Sequence, residues 1–218
     1  IGVLTTAQVN ALTTAQVAAI ETVDIAALKT SQLNALSTAG VAALTTGQVQ
    51  ALTTAQFANL STTNLGALTT AQVAAMETAD VAALQTAQLN ALSTASMAAL
   101  TTGQVQALTT AQAAGLSTTN LGALTTAQVA AMETTDVAAL TTAQIKSLST
   151  ATVAALTTTE VAALKTTQLQ ALTTAQTTAM TTAQIQALTT AQVVGLSTAN
   201  VAGLSTTNVA ALTTVQVG

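Results

Sequence analysis

The sequence has 218 residues, carries a formal net charge of -4, and contains no Cys, Pro, His, Trp or Tyr. Three basic residues cannot form the basic stripe that neutralises nucleic-acid phosphates. Half of the residues are apolar, but Thr, Ser, Gln or Asn interrupts every apolar run, so no stretch reaches the roughly 18 apolar residues of a membrane-spanning helix. We therefore expect neither a nucleic-acid partner nor a transmembrane segment.

The chain is a tandem array of an eight-residue repeat that starts at Leu4. From there it divides into 27 octads of the form Leu-Thr-Thr-Ala-Gln-Val-Ala-Ala, without a slip of register. We predict a single repeat domain over residues 1–218. Because the chain opens at Ile1 without a charged and apolar leader, we expect a processed chain or a segment of a longer array.

Each position of the octad has its own residue preference. Position 1 is Leu, Ile or Met, and position 6 is apolar in every octad except at Thr177, so these two positions are predicted to form the core. Phe57, at position 6, is expected to be buried. Position 3 is always Thr, and position 8 is nearly always Ala or Gly. Positions 2, 5 and 7 vary among polar and small residues and are interpreted as facing solvent.

The octad favours a short helix. A continuous helix is excluded, because eight residues advance about 800° and any apolar seam would drift by roughly 80° per repeat. Thr or Ser at position 2 followed by Gln at position 5 forms a capping box, and the apolar residues at positions 1 and 6 have the spacing of a hydrophobic staple. The invariant Thr at position 3 would also suit an N-cap, so the cap is ambiguous by one residue. The sequence predicts an all-α solenoid, or superhelix, of very short capped helices.

A β-solenoid with an internal or surface Thr ladder is the alternative fold. Thr and Val favour strands. Positions 8 and 1 are adjacent and both restricted, however, which breaks strict alternation, and the usual turn residues are missing. The helical interpretation is preferred.

Positions 2 and 5 vary together. The octads with Ser at position 2 have a short residue at position 5, whereas all the other octads have Gln, Asp or Glu there. Copying of octad types could produce this pattern, and so could direct contact between an N-cap and its partner three residues on. The seven pairs are Ser37 and Gly40, Ser61 and Asn64, Ser93 and Ser96, Ser117 and Asn120, Ser149 and Thr152, Ser197 and Asn200, and Ser205 and Asn208.

Longer blocks have also been copied. Residues 12–67 recur almost octad for octad as residues 68–123, and residues 148–203 resemble a third, diverged copy. Residues 124–147 are three additional octads between these blocks. Growth and loss in whole octads indicate that the octad is the structural unit.

Six acidic residues are the weak candidates for a metal site. They form three pairs spaced 56 residues apart, namely Glu21 and Asp24, Glu77 and Asp80, and Glu133 and Asp136. Two carboxylates three residues apart could share Ca²⁺. Such an ion takes six to eight oxygen ligands, however, and the neighbouring sequence offers no further strong oxygen ligands. We expect no metal, no cofactor and no catalytic residue. Glu160 stands alone, and the three lysines, Lys29, Lys146 and Lys165, are expected to be exposed.

Runs such as Ala51 to Gln56 and Leu124 to Ala131 resemble the Leu-Thr-Thr-x-Gln-Val-x-Ala-Leu arrays of very large bacterial secreted surface proteins. This resemblance implies an extracellular or cell-surface location and an adhesin-like or filament-forming role. We expect a structural stalk, spacer or self-associating filament subunit rather than an enzyme. The alternative is a binding module that presents a regular array of Thr hydroxyls to a periodic surface such as ice or polysaccharide.

Overall fold

The protein folds as a series of short α-helices, one in each octad. The computed structural model describes residues 1–216 and 218 in full and residue 217 by its backbone. Within these residues it contains 27 helices and no strand. The predicted all-α solenoid of short helices is confirmed, and the β-solenoid alternative is wrong. The chain forms two compact units, Ile1–Leu108 and Thr109–Gly218.

The first unit contains thirteen helices. They are α1 Thr6–Asn10, α2 Thr14–Ala18, α3 Thr22–Ala26, α4 Thr30–Leu33, α5 Thr38–Ala42, α6 Thr46–Ala51, α7 Thr54–Ala58, α8 Thr62–Gly66, α9 Thr70–Ala75, α10 Thr78–Ala83, α11 Thr86–Ala91, α12 Thr94–Ala99 and α13 Thr102–Gln106.

The second unit contains fourteen helices. They are α14 Thr110–Gly115, α15 Thr118–Gly122, α16 Thr126–Val129, α17 Thr134–Ala139, α18 Thr142–Ser147, α19 Thr150–Ala155, α20 Thr158–Ala163, α21 Thr166–Gln170, α22 Thr174–Ala179, α23 Thr182–Ala187, α24 Thr190–Val194, α25 Thr198–Gly203, α26 Thr206–Ala211 and α27 Thr214–Val217.

Every helix begins at the Thr of position 3, with the residue of position 2 as its N-cap. Thr45 shows the geometry, because its backbone is extended at φ -72° and ψ 158° while its hydroxyl oxygen accepts from the backbone N–H of Gln48. This assignment resolves the one-residue ambiguity of the sequence prediction in favour of position 2. It also places positions 1 and 6 at the two sites of a hydrophobic staple.

The chain reverses direction between helices without left-handed residues. Leu92 ends α11 at φ -65° and ψ 143°, and Ser93 continues at φ -67° and ψ 158° before α12 begins. Two extended residues, at positions 1 and 2, therefore turn the corner. No described residue has a positive φ and no described peptide bond is cis. This explains why positions 1 and 2, which form the turn, carry none of the Gly and Asn that usually mark turns.

Positions 1 and 6 form the core as predicted. Within the interior of the array the side chains at position 6 are at most 1% or 2% exposed, and those at position 1 about 3% to 6%. Phe57 is fully buried, as expected. Thr177 is buried too, and its hydroxyl donates to the carbonyl oxygen of Thr173. Position 5 contradicts the sequence interpretation, because its polar side chains are buried in almost every octad after the third.

Helices three octads apart pack against each other within each unit. In the first unit α7 packs on α10 and α8 on α11, and in the second α17 packs on α20 and α20 on α23. Side chains also bond to backbone 28 and 31 residues earlier, so one coil of the array takes between three and four octads. Position 8 faces the neighbouring coil, where a Cβ on Gly203 would lie 2.9 Å from the carbonyl oxygen of Thr174. The small residues at position 8 are thus required by close packing between coils.

Candidate functional site

The polar residue at position 5 joins one coil to the preceding one. In α6 the Nε2 of Gln48 donates to the carbonyl oxygens of Val17 at 2.9 Å and Ile20 at 2.7 Å. The Oε1 of the same side chain accepts from the backbone N–H of Thr45 at 2.7 Å. One amide therefore closes its own helix and holds the coil before it. We call the set of position-5 side chains that bond in this way the amide ladder.

The same arrangement recurs along both units. Nε2 donates to the carbonyls of positions 6 and 1 of the preceding coil. The position-6 carbonyl also accepts from the N–H of the following position 1, as Val41 does from Leu44. Burying an amide is costly unless its hydrogen bonds are made, and the Gln side chains named below each make at least three. The Gln residues with these intercoil bonds include Gln32, Gln48, Gln56, Gln72, Gln88, Gln104, Gln144, Gln168, Gln176, Gln184, Gln192 and Gln216.

The linked variation of positions 2 and 5 reflects direct contact. The Ser61 hydroxyl oxygen accepts from the N–H of Asn64, and Asn64 Nδ2 donates to the carbonyl oxygen of Leu33 at 2.9 Å. The shorter Asn64 side chain thus bonds to one carbonyl of the preceding coil, whereas Gln48 bonds to those of Val17 and Ile20. Ser96 and Thr152 instead bond to the hydroxyl groups of their own N-caps. Positions 2 and 5 therefore touch, as the physical interpretation predicts, in the Thr octads as well as in the Ser octads.

The acidic pairs occupy the N-cap and the third residue of single helices. Asp80 is 2% exposed and accepts from the Thr54 hydroxyl at 2.8 Å and, at 3.3 Å, from the backbone N–H of Glu77. Glu21 is exposed and Asp24 is half-buried in α3. The helices that carry these two pairs pack on different neighbours, since α3 packs on α6 whereas α10 packs on α7 and α13. The described residues contain no cluster of three or more acidic side chains that could hold a metal ion.

Asp136 repeats the environment of Asp80 in the second unit. Its Oδ1 accepts from the Thr110 hydroxyl at 2.7 Å, while Oδ2 has no hydrogen-bond partner among the described residues. Burial raises the pKa of Asp136, the bond from Thr110 lowers it, and the nearby Glu133 carboxylate raises it further. Asp136 thus occupies position 5, the place of the amide in the amide ladder, but its carboxylate does not make the bonds to the preceding coil that define the ladder.

Glu160 is also a buried carboxylate at position 5, although its local sequence does not distinguish it from an exposed residue. It is 2% exposed at position 5 of α20. The signal that could have identified it is its register, since position 5 is the inward-facing partner of the cap. Lys29, Lys146 and Lys165 are exposed, as expected.

Short self-capped helices stacked in coils and linked by buried amides define an all-α repeat protein of the solenoid class. The chain belongs to the ALTTAQ repeat family. The family model matches it seven times in tandem, at residues 17–54, 49–76, 73–110, 105–134, 129–166, 153–190 and 161–198. No curated protein matches the chain. No helix within the described residues is both long and apolar enough to cross a bilayer.

Proposed function

We propose that this protein is an extracellular structural protein, a stalk or spacer whose extent is set by the number of its octads. The observation that carries the proposal is the amide ladder, in which the same bonds recur between successive coils along each unit. Gln72, for example, repeats 24 residues later the contacts of Gln48, donating to Val41 and Leu44 as Gln48 donates to Val17 and Ile20. An interface that repeats in this way supports indefinite extension.

A non-enzymatic role is proposed on the same grounds. The buried Gln side chains are bonded to backbone groups, so they stabilise the fold and do not converge on a substrate. The exposed residues are mainly those of positions 2, 3, 4 and 7, which are rich in Thr and Ala and carry little charge. General acid and base catalysis would need titratable groups that meet in a cleft. These features support a spacer more than a reaction site.

Self-association is proposed because the two terminal coils expose complementary halves of the same interface. Gln8 and Gln16 are exposed, and only their Oε1 atoms bond, to their own caps. At the other end Val201 and Val209 are 52% and 51% exposed, although position 6 is buried in every octad from Val9 to Ile185. Additional octads would cover the exposed face at either end. A second copy of the chain presents the same groups as additional octads would. This supports copies joining end to end through an extension of the amide ladder.

The extracellular or cell-surface location rests on the resemblance of the octads to the arrays of secreted surface proteins. Labelling of intact cells of the source organism with an antibody to the array tests it. Labelling of intact cells supports the location, and labelling only after permeabilisation contradicts it.

The spacer role is tested by changing the number of octads. We expect insertion of one whole octad after Ala75 to be tolerated and each further octad to increase the longest dimension, measured by small-angle X-ray scattering, by a constant amount. The matched control inserts four residues at the same point, which breaks the octad register and should lower the helical circular dichroism signal and stability. A longest dimension that does not change with added octads would contradict the role.

A Thr-lined binding surface is the second candidate. The observation that favours it is the Thr of position 3, which is exposed or half-buried in all 27 octads. A regular array of these Thr hydroxyls could bind polysaccharide or ice, although the hydroxyls lie on separate helices and not on a flat strand ladder. Inhibition of ice recrystallisation and glycan pull-down with the full chain test this function. If neither assay responds, the candidate is removed.

A further inference from the structure

Glu160 lies in the amide ladder, but one of its oxygens has no bonding partner. Its Oε2 accepts from the backbone N–H of Thr157 at 2.5 Å, and the Thr157 hydroxyl accepts from the N–H of Glu160 at 3.2 Å. Glu160 thus makes the capping box that Gln makes in other octads. Its Oε1 is buried without a hydrogen-bond partner among the described residues. A buried polar atom of this kind normally needs a partner.

The neighbouring Gln octads show what this second atom does elsewhere. Gln184 Nε2 donates to the carbonyls of Val153 at 2.8 Å and Leu156 at 2.6 Å, which lie 31 and 28 residues earlier. Gln168 Nε2 donates at 3.0 Å and 2.8 Å to the residues in the same register. For Glu160 that register places the carbonyls of Val129 and Met132 at the equivalent position. An oxygen therefore takes the place of an N–H donor beside two carbonyl oxygens, and without a proton they repel each other.

The surroundings offer no compensating positive charge from the elements packed on α20. The helix packs on α17 and α23. Of these, α17 and its N-cap contribute the acidic Glu133 and Asp136, and α23 contributes no titratable group. Lys165 is the exposed N-cap of the following helix. Burial is the largest influence on Glu160 and raises its pKa, against a lowering by the bonds with Thr157.

We propose that Glu160 is a proton-binding site that controls the contact between its coil and the preceding one. When a solvent proton is bound to Oε1, the O–H donates to a carbonyl of Val129 or Met132 and reproduces the bond of Gln. When the proton returns to solvent, two oxygen acceptors face a carboxylate and this intercoil contact opens. The inference does not depend on the proposed function, because it concerns the fold of one coil.

The direction of the pH effect follows from protonation. A carboxyl whose pKa is raised by folding stabilises the folded state when it is protonated, so its contribution is fully present below the pKa of the unfolded chain. The contribution is lost as the pH rises through the folded pKa. The second unit should therefore loosen at α20 as the pH rises.

The test compares the full chain with Glu160→Gln, which restores the residue most common at this position. We expect the variant to have the higher unfolding temperature, by a difference that is small in acid and grows as the pH rises. The exposed Glu21→Gln, at the N-cap of α3, is the matched control for loss of one carboxylate. The Cδ resonance of Glu160 in the unmodified chain, followed by NMR, should titrate above the ordinary glutamate range.

Two results would overturn the proposal. One is a stability difference between the chain and Glu160→Gln that is the same at every pH, together with an ordinary titration of the Cδ resonance. The other is a recovery of stability at high pH on addition of NaCl or CaCl₂ that Glu160→Gln does not show, since this would mean that the carboxylate binds a cation and not a proton.

Discussion

Gln72 in α9 donates from Nε2 to the carbonyl oxygen of Leu44, 28 residues earlier, at 2.6 Å. The same Nε2 donates to Val41 at 2.9 Å, and Oε1 accepts from the N–H of Thr69 at 2.7 Å. Three backbone groups from two coils thus depend on one side chain. The arrangement predicts that the interior of this solenoid is stabilised by polar bonds as well as by its apolar core.

Gln72→Met keeps the size of the side chain and removes its hydrogen-bonding groups. We expect a loss of about 2 to 4 kcal/mol in the free energy of unfolding, because buried backbone groups lose their partners. Chemical denaturation followed by circular dichroism measures it, and hydrogen exchange at the Thr69 amide should accelerate. The control is Gln50→Met at the exposed position 7 of α6, with an effect within about 0.5 kcal/mol. Equal losses in the two variants would show that the intercoil bonds contribute nothing.

The assignment of the N-cap to position 2 is tested with two adjacent threonines. Thr45→Ala removes the hydroxyl that accepts from Gln48 at 3.1 Å and should destabilise the chain by about 1 kcal/mol. Thr46→Ala changes an exposed residue at the first position of α6 and should have an effect within about 0.5 kcal/mol. Thermal unfolding of both variants is the measurement. A larger loss for Thr46→Ala would place the cap one residue later.

Two glycines in the first unit should respond to alanine in opposite directions. At Gly47 a new Cβ would have the Thr45 Oγ1 as its nearest neighbour, at 4.0 Å, so the helix preference of Ala should stabilise the chain by about 0.5 to 1 kcal/mol. At Gly66 the Cβ would lie 2.8 Å from the carbonyl oxygen of Ala91 on the next coil. That close approach should destabilise the chain by about 1 to 3 kcal/mol. Unfolding temperatures of the two variants compare the effects, and a stabilised Gly66→Ala would contradict the packing of these coils.

Asp136→Asn should change the dependence of stability on pH. Because burial raises the pKa of Asp136, its protonated form stabilises the folded chain, and this contribution is lost as the pH rises through the folded pKa. The variant should unfold at nearly the same temperature as the original chain in acid and at a higher temperature near neutrality. Differential scanning calorimetry across that range measures the difference.

Thr110→Val is the companion variant for Asp136. It removes the hydroxyl bond that lowers the pKa of the carboxyl, so the pH range over which stability is lost should move upward. If the difference in unfolding temperature between Asp136→Asn and the original chain does not depend on pH, this would contradict a raised pKa of Asp136 in the folded chain.

The local structure of each helix could be predicted almost completely from the sequence. Thr or Ser at position 2 and Gln at position 5 predict a capping box, and Thr45 with Gln48 forms one. The ambiguity between positions 2 and 3 arose because Glu, Lys or Gln stands at position 2 in six octads, whereas position 3 is always Thr. The staple at positions 1 and 6 gives the correct register, since it requires the cap at position 2.

The partners of position 5 could not be predicted from the sequence. Gln48 was interpreted as facing solvent because it is polar and its position varies, whereas it is 1% exposed. Its burial depends on carbonyl groups 28 and 31 residues earlier, and an octad repeat does not reveal how many octads complete a coil. The burial of Glu160 could not be predicted for the same reason. A single acidic residue in the sequence does not show which residues of the preceding coil lie beside it.

The corner between helices has a consequence for how such genes change. The two extended residues that turn the chain, such as Leu92 and Ser93, need no glycine or proline. A duplicated stretch of eight codons therefore supplies a helix together with its own bend, so slippage during DNA replication can lengthen or shorten the encoded protein without a compensating mutation at the junction.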